Sequence, residues 1–494
     1  MQSQVRAVLD SGLPPDDDHP YRSGPWQPQT TEFDAWDLAV EGEVPDDLSG
    51  TYLRNTENPL FEPIRRYHPF DGDAMIHAMS FGGGDARYSN RFVRTEALLA
   101  EQEAKQSLWA GITEHPSTAL AEHGWGARSM MKDNASTDVI AHGGVALASF
   151  YQCGELYRLD PVTAETLGTS SWNGAFPANG VSAHPKVDEH TGELLWFNYS
   201  ASEPYYQYGV VSPEGELTNL VDIPVPGPRL PHDMAFTENW TILHDPPLGW
   251  DEAALADGHY ANRFHRDTPT RFGLIPRHGS ADDIRWFEAD PTFVLHWTNA
   301  YEDGDEVVLD GFFQHNPRAK GVDRMSGVHK GFETLDMNVL GARAHRWRFD
   351  LGTGQTREEP TSERCLEFPT INARHGGRRH RYSYNAICAQ GLFAFTGFVK
   401  HDLDTGDEIA VEMEPGVFVS ETVMAPRDGS TAEDDGYLLT FTTDMNRDLS
   451  ECLVFGAADP AAGPVVRLRL PERIASGTHA CWAPTHLTSA PFHL

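Results

Sequence analysis

Four times the chain repeats one short pattern: aspartate, two residues, threonine, then glycine or alanine. The copies are DPVTA (160–164), DEHTG (188–192), DLGTG (350–354) and DLDTG (402–406). An aspartate or threonine side chain can hydrogen-bond turn backbone, and glycine tolerates positive φ, so each copy predicts a tight turn. Strand-like runs flank them: ELYRL before the first, ELLWFNY after the second, HRWRF before the third. GVALASFY, EVVLDGFF, LFAFTGFV and GYLLTFTT supply further strands. Helical periodicity is scarce, with TEALLAEQEAKQSLWAGI (95–112) the best candidate. Many short strands closed by one recurring turn predict an all-β chain, and a β-propeller ahead of a large two-sheet sandwich. A propeller brings the inner strands of all its blades to one axis, where residues far apart in sequence can meet.

The 494 residues exceed an ordinary domain, but repetition lets one all-β domain grow without one swollen core. With 39% apolar residues, 12 Trp, 15 Tyr and 25 Phe, there is ample material for a core. Asp and Glu outnumber Lys and Arg by 73 to 38, a net charge of −35 that repels phosphate backbones and argues against nucleic-acid binding. Five scattered cysteines without a CxxC argue against a disulfide framework and a thiolate metal site, and for a reducing compartment. No apolar leader opens the chain and no run approaches a membrane span, so the expectation is a soluble, cytoplasmic protein.

Most of the 23 histidines read as bland. RHGGRRHR (374–381) is a basic loop expected to be solvated. His142 precedes GG, a turn. His244 and His315 read as loop-edge residues beside proline, and His486 and His493 sit in a polar tail. Four others abut strand-like sequence: His184 in SAHPKVDEHTGELLWF, His232 in RLPHDMAFTENW, His296 in FVLHWTNAYEDGDEVVLDGFF, and His479 in SGTHACW. The first three lie 48 and 64 residues apart, the scale of one blade or a little more. Four neutral imidazoles meeting on an axis would suit Fe(II), Zn or Cu. Carboxylates should then hold the outer ring nitrogens. Acids inside apolar strand sequence qualify: Glu367 in CLEFPTIN and Glu421 in FVSETVMAP.

At these residues the chain resembles the carotenoid cleavage oxygenases, from about Leu38 to Trp482. The likeness is carried by LSGTYLRNTENPLFEP…YHPFDGDAMIHAMSF…YSNRFVRTE (48–96), then by AHPKVDEHTGEL, PHDMAFTE, LHWTNAYEDGDEVV and GTHACW, in order. The resemblance implies a seven-bladed propeller under a small dome of helix and loops, with residues 1–30 an N-terminal extension and 31–494 one domain. It implies one Fe(II) per chain held by His184, His232, His296 and His479, with O₂ as co-substrate and no organic cofactor. Glu367 and Glu421 match two of three outer-sphere glutamates of the family. The third position falls at Gln152 in ASFYQCGELYRLDP. Thr137, in DNASTDV, matches a position near the open side of the iron. Ala74, and GTHA at 477–480, depart from the usual pattern.

The implied activity is cleavage of a C=C bond of a small apolar conjugated alkene into two carbonyl products. Stilbenoid-cleaving relatives generally carry a lysine beside the first outer acid, where this chain has Tyr151. That tilts the expectation towards an apocarotenoid-like substrate, with a stilbenoid or phenylpropenoid as the alternative. Non-oxidative isomerisation with ester cleavage, on the same iron, is a further reading. A non-catalytic propeller platform would explain the repeats but not the matched histidines. No Walker A, GxSxG or HExxH motif competes. The dome segment 95–112 is expected either to touch a membrane surface or to be solvated. No obligate protein partner is implied.

Overall fold

Each aspartate turn joins two antiparallel strands in the computed structural model, which describes residues 1–112, 114, 116–124, 131–251, 253, 262–317 and 335–485. Asp160 lies between Tyr157–Leu159 and Thr166–Thr169, and Asp188 between Lys186–Val187 and Leu194–Tyr199. Asp350 ends Ala342–Asp350 before Thr356–Thr370, and Asp402 ends Phe395–Asp402 before Glu408–Glu412. The aspartate does the work expected of it. Asp160 Oδ1 accepts the N–H of Val162 (2.9 Å) and Thr163 (2.8 Å), and Asp350 Oδ1 those of Gly352 and Thr353 (both 2.8 Å). The last residue is left-handed every time: Ala164 at φ 58°, Gly192 at 72°, Gly354 at 75° and Gly406 at 77°. A fifth copy is disguised in sequence as DMNRD (444–448). Asp444 Oδ1 takes the N–H of Asn446 and Arg447, and Asp448 occupies the left-handed position at φ 52°.

Among the described residues the strands form six sheets. One runs Gln2–Val8, Thr31–Trp36, Asp85–Phe92, Ala74–Gly82, Gly50–Glu57, Ala480–Pro484. The C-terminal strand thus pairs with a strand from near the start, with Trp482 opposite Tyr52. Residues 2–8, in the expected N-terminal extension, belong to this sheet. Three four-stranded antiparallel meanders follow, then a long run in which Thr356–Thr370 pairs with Ala342–Asp350 through its first half and with Tyr382–Cys388 through its second. Two tryptophans pack on strand glycines: Trp196 lies opposite Gly209 and Trp297 opposite Gly311. A Cβ at either glycine would stand 2.5 Å from the indole, so no larger residue fits without displacing the ring.

The expected helix is shorter than its sequence pattern. It spans Glu96–Ala104, capped by the Thr95 hydroxyl, and stops at left-handed Lys105. Ala97 and Leu98 are buried while Leu99 is exposed. No helix among the described residues is long and apolar enough to cross a membrane.

One edge strand of each meander faces a common cavity of about 290 Å³. The lining strands are Asp138–His142, Lys186–Val187, Met234–Phe236, Trp297–Asp303, the end of Thr356–Thr370, Val423–Pro426 and Ala480–Pro484.

Candidate metal centre

The site residues sit where the chain enters these inner strands. His184 and His232 each stand two residues before one, and His296 and His479 one residue before. Glu421 stands two before Val423–Pro426, and Glu367 lies in the inner half of Thr356–Thr370. This common position gathers four histidines from distant segments. Ring centroids are 4.5 Å apart for His184–His479 and for His296–His479, 4.9 Å for His184–His232, 5.1 Å for His184–His296 and 5.3 Å for His232–His296.

Backbone contacts fix the cluster. Asn55 on Gly50–Glu57 donates its N–H to the His479 carbonyl at 2.8 Å, and its side-chain amide reaches the Ala135 carbonyl at 2.8 Å. His479 donates its N–H to the Thr137 carbonyl at 3.3 Å. The Thr137 hydroxyl accepts the Tyr151 N–H at 3.1 Å. His184 itself is left-handed at φ 65°, and so is Phe368 at 49°. Such backbone costs about 1–3 kcal/mol outside glycine and persists only where the surroundings hold it.

Glu367 and Glu421 each face the Nδ1 of one histidine of the cluster. Glu367 is fully buried, and its Oε2 lies 2.6 Å from His296 Nδ1 while also accepting the Phe368 N–H at 3.0 Å. Glu421 Oε1 lies 3.4 Å from His479 Nδ1, and its Oε2 accepts the Ala480 N–H at 2.5 Å. Gln152 does not take the third position. Its amide nitrogen donates to Tyr151 Oη at 2.9 Å, and its amide oxygen is buried without a partner. Gln152 lies in the turn after Val145–Ser149, and its side chain bonds to its neighbour Tyr151 instead of a histidine.

The arrangement has the electrostatics of a cation site. Burial pushes His184, His232 and His296 down, His232 to about 3, and their ring neighbours push the same way. All three are held neutral, as ligands must be. His479 goes up: burial opposes its charge, but Glu421 and Asp138 outweigh burial. The Nε2 atoms of His184 and His232 face each other at 3.2 Å, and His296 Nε2 is buried without a partner while its Nδ1 addresses Glu367. Converging, unpartnered ring nitrogens in a desolvated centre fit a divalent metal. The nitrogens of His184, His232 and His296 lie within 4.8 Å of one another, and so do the ligand atoms of Asp138, His184 and His479.

The cluster has two unlike sides. On one, Phe70, Tyr151, Phe293, Phe368 and Phe393 make an aromatic shell. Phe368 stacks on His479 at 4.3 Å and 15°, Tyr151 lies 5.9 Å from His232, and Phe70 bridges Tyr151 and Phe393 at 5.8 and 5.6 Å. On the other is the 290 Å³ cavity, which His184, His296 and His479 touch together with Asp138, Lys186 and Asp233. Lys186 Nζ pairs with Asp233 at 2.7 Å.

Other histidines depart from expectation. His244 is no loop residue: it is fully buried in Trp240–Asp245, bonded to Thr270 Oγ1 at 2.9 Å. His142 ends the strand Asp138–His142 and contacts the Gly192 carbonyl at 3.0 Å. Within the basic loop, His380 is buried against Asn299 rather than solvated. His315 is exposed, and His486 and His493 lie outside the described residues. All five cysteines are free.

Comparison with known proteins identifies the architecture. The family model described as retinal pigment epithelial membrane protein matches residues 26–484. A carotenoid 9,10(9',10')-cleavage dioxygenase 1 from Phaseolus vulgaris is 32% identical over 96% of this chain and 91% of its own length. The crystal structure of Pseudomonas brassicacearum lignostilbene dioxygenase superposes with a TM-score of 0.83 at 27% identity, covering 96% of this chain and all (100%) of that one. Cobalt-substituted Synechocystis apocarotenoid oxygenase does so with a TM-score of 0.80 at 27% identity, covering 93% and 98%. The chain belongs to the carotenoid cleavage oxygenase family. It is an enzyme, an alkene-cleaving dioxygenase.

Proposed function

We propose that this enzyme binds one Fe(II) through His184, His232, His296 and His479 and cleaves a C=C bond of an apocarotenoid-like conjugated alkene with O₂, giving two carbonyl products. The observation that carries this reading is the convergence of the four rings at centroid spacings of 4.5–5.3 Å, with Glu367 and Glu421 facing the Nδ1 atoms of two of them. In this reading the meanders are the seven blades of one propeller domain over 31–494. Support comes from their edge strands sharing one cavity and from the pairing of Ala480–Pro484 with Gly50–Glu57, which ties the two ends of the chain.

Iron, when bound, supplies the one-electron chemistry with O₂ that protein groups lack. The chain's own residues do the rest. Glu367 holds a proton at His296 Nδ1 and Glu421 one at His479 Nδ1, which leaves each Nε2 lone pair for the metal. Phe368, stacked on His479, fixes that ring in the plane the cluster needs. The shell of Phe70, Tyr151, Phe293 and Phe393 presents an apolar surface that excludes water and suits a polyene.

A phenolic alkene is the second reading, favoured by one feature. The Gln152–Tyr151 hydrogen bond places a polar pair within the aromatic shell, where a substrate hydroxyl could be met. The test is anaerobic purification with metal analysis, then turnover of apocarotenoid and stilbenoid substrates under ¹⁸O₂. One iron per chain, label in the aldehyde products and no need for NADH, flavin or 2-oxoglutarate are expected. An obligatory organic cofactor, or isomerised product without label, would refute the oxygenase reading.

A further inference from the structure

Every inner strand but one brings a histidine or glutamate of the expected set to its entry. The exception is Asp138–His142, and its first residue is an aspartate. Asp138 is buried, at 6% exposure, and faces the cluster. Its Oδ2 accepts the backbone N–H of His184 at 3.2 Å, the residue whose backbone is left-handed at φ 65°. The same oxygen lies 3.6 Å from His184 Nδ1, and Oδ1 is anchored by the Val139 N–H at 2.7 Å. His184 Nε2 meanwhile points into the cluster, 3.2 Å from His232 Nε2. The orientation is that of His296, with Nδ1 on the carboxylate side and Nε2 towards the centre, but the ring stands 3.6 Å from Asp138 where His296 stands 2.6 Å from Glu367, so the bond Asp138 makes is to the His184 backbone. Lys186, the nearest cation, is paired with Asp233.

Resting on the metal-centre reading above, we propose that Asp138 is the third outer carboxylate of the site, in the role that sequence comparison places at Gln152. It positions His184 through the backbone N–H that holds the left-handed turn, and it sets a negative charge 3.6 Å from the ring Nδ1. Asp138 is a positioning residue, not a ligand. The carboxylate count around the metal is thereby three although position 152 is an amide, and the third charge enters from the cavity side rather than the aromatic side.

The test measures release of Fe(II) to a ferrous chelator and the Fe(III)/Fe(II) reduction potential of the holoenzyme. Asp138→Asn keeps size and removes charge. It should release iron about 10–100-fold faster than wild type, the usual effect of losing an outer-sphere partner, and its potential should rise. Gln152→Ala should stay within about 2-fold of wild type in release rate, a bound well inside that effect. Should Asp138→Asn fail to fold, Asp138→Ser, which keeps a small acceptor for the His184 N–H, is read the same way. Wild-type release and potential in the Asp138 variant, alongside fast release from Glu367→Gln, would overturn the role of Asp138 alone. Wild-type iron retention in Glu367→Gln and His296→Ala as well would overturn the metal-centre reading itself, and this inference with it.

Discussion

The two sides of the histidine cluster differ in where their residues come from: the aromatic side is built mostly from turns and loops, the cavity side from the strands that share the cavity. On the aromatic side the rings meet Tyr151, Phe293 and Phe368, with Phe70 and Phe393 packed behind them. Towards the 290 Å³ cavity the charged groups Asp138, Lys186, Asp233 and Glu421 stand among apolar lining residues such as Val423, Met424 and Trp482. The difference separates two tasks that conflict if mixed. An apolar alkene needs a dry surface, whereas neutral imidazoles need charged acceptors to fix their tautomers, and buried charges need partners of their own.

The largest break in this comparison is removal of the element the sides share. His296→Ala or His479→Ala should lose most of the iron and activity. His315→Ala should keep both, and His244→Ala should keep iron while losing stability, because it empties a buried strand position. Metal analysis of the purified variants decides, and full iron in His479→Ala would remove that residue from the ligand set. Next comes the aromatic side. Phe368→Ala should cost about 3–5 kcal/mol of stability, as large-to-small core substitutions do, and should raise KM for an apolar alkene more than it loosens iron. Chemical denaturation and steady-state kinetics check the two halves.

On the polar side, Lys186→Met leaves Asp233 buried with only the backbone N–H groups of Met234 and Trp297 as partners. Because Lys186 is itself about a quarter exposed (26%), the loss should be near 2 kcal/mol rather than that of a fully buried pair. KM for the alkene should not move, and an effect on KM equal to that of Phe368→Ala would erase the distinction between the sides.

The smallest effect concerns pH and a histidine on neither side. Burial pushes His244 down from 6.5 to about 3. Below pH 6.5 the unfolded chain takes up a proton at this residue while the folded one refuses it. The stability it contributes is therefore complete above pH 6.5 and falls as the pH drops. From pH 6.5 to 5 the loss is about 2 kcal/mol. Burial raises Asp133 to about 7, and a raised carboxyl works in the opposite sense, so the measurement is a difference. Wild type should lose more stability than His244→Gln between pH 7 and pH 5, and parallel curves would contradict the shift.

Much of this was legible in the chain because its signals are local. The aspartate of each turn binds backbone two and three residues away, so four copies announce themselves. The fifth is hidden because Asp448, not glycine, takes the left-handed position, and only the Asp444 bonds reveal it. His244 misleads because two prolines follow it, although Leu243 and His244 are paired in a strand with Gly273 and Phe272. Gln152 and Asp138 mislead together. The sequence match points to 152, in the turn after Val145–Ser149, whereas the acceptor of the His184 N–H stands at the start of the preceding strand, in the polar stretch DNASTDV.

The sequence by itself determined the strands, their turns and the residue types at the centre, because alternation, turn chemistry and glycine placement act over a few residues. It also carried the family signature that named the four histidines. Only the tertiary structure decided which acids face which rings, that aromatic rings flank the cluster on one side and a cavity on the other, and that Asp138 holds the His184 backbone. Those facts depend on where separate inner strands enter a shared space, and on a left-handed backbone at His184 that no local preference would choose. Contacts between segments so far apart in the chain are set by the pairing and packing of distant strands, as where Ala480–Pro484 pairs with Gly50–Glu57, and not by any neighbour in sequence.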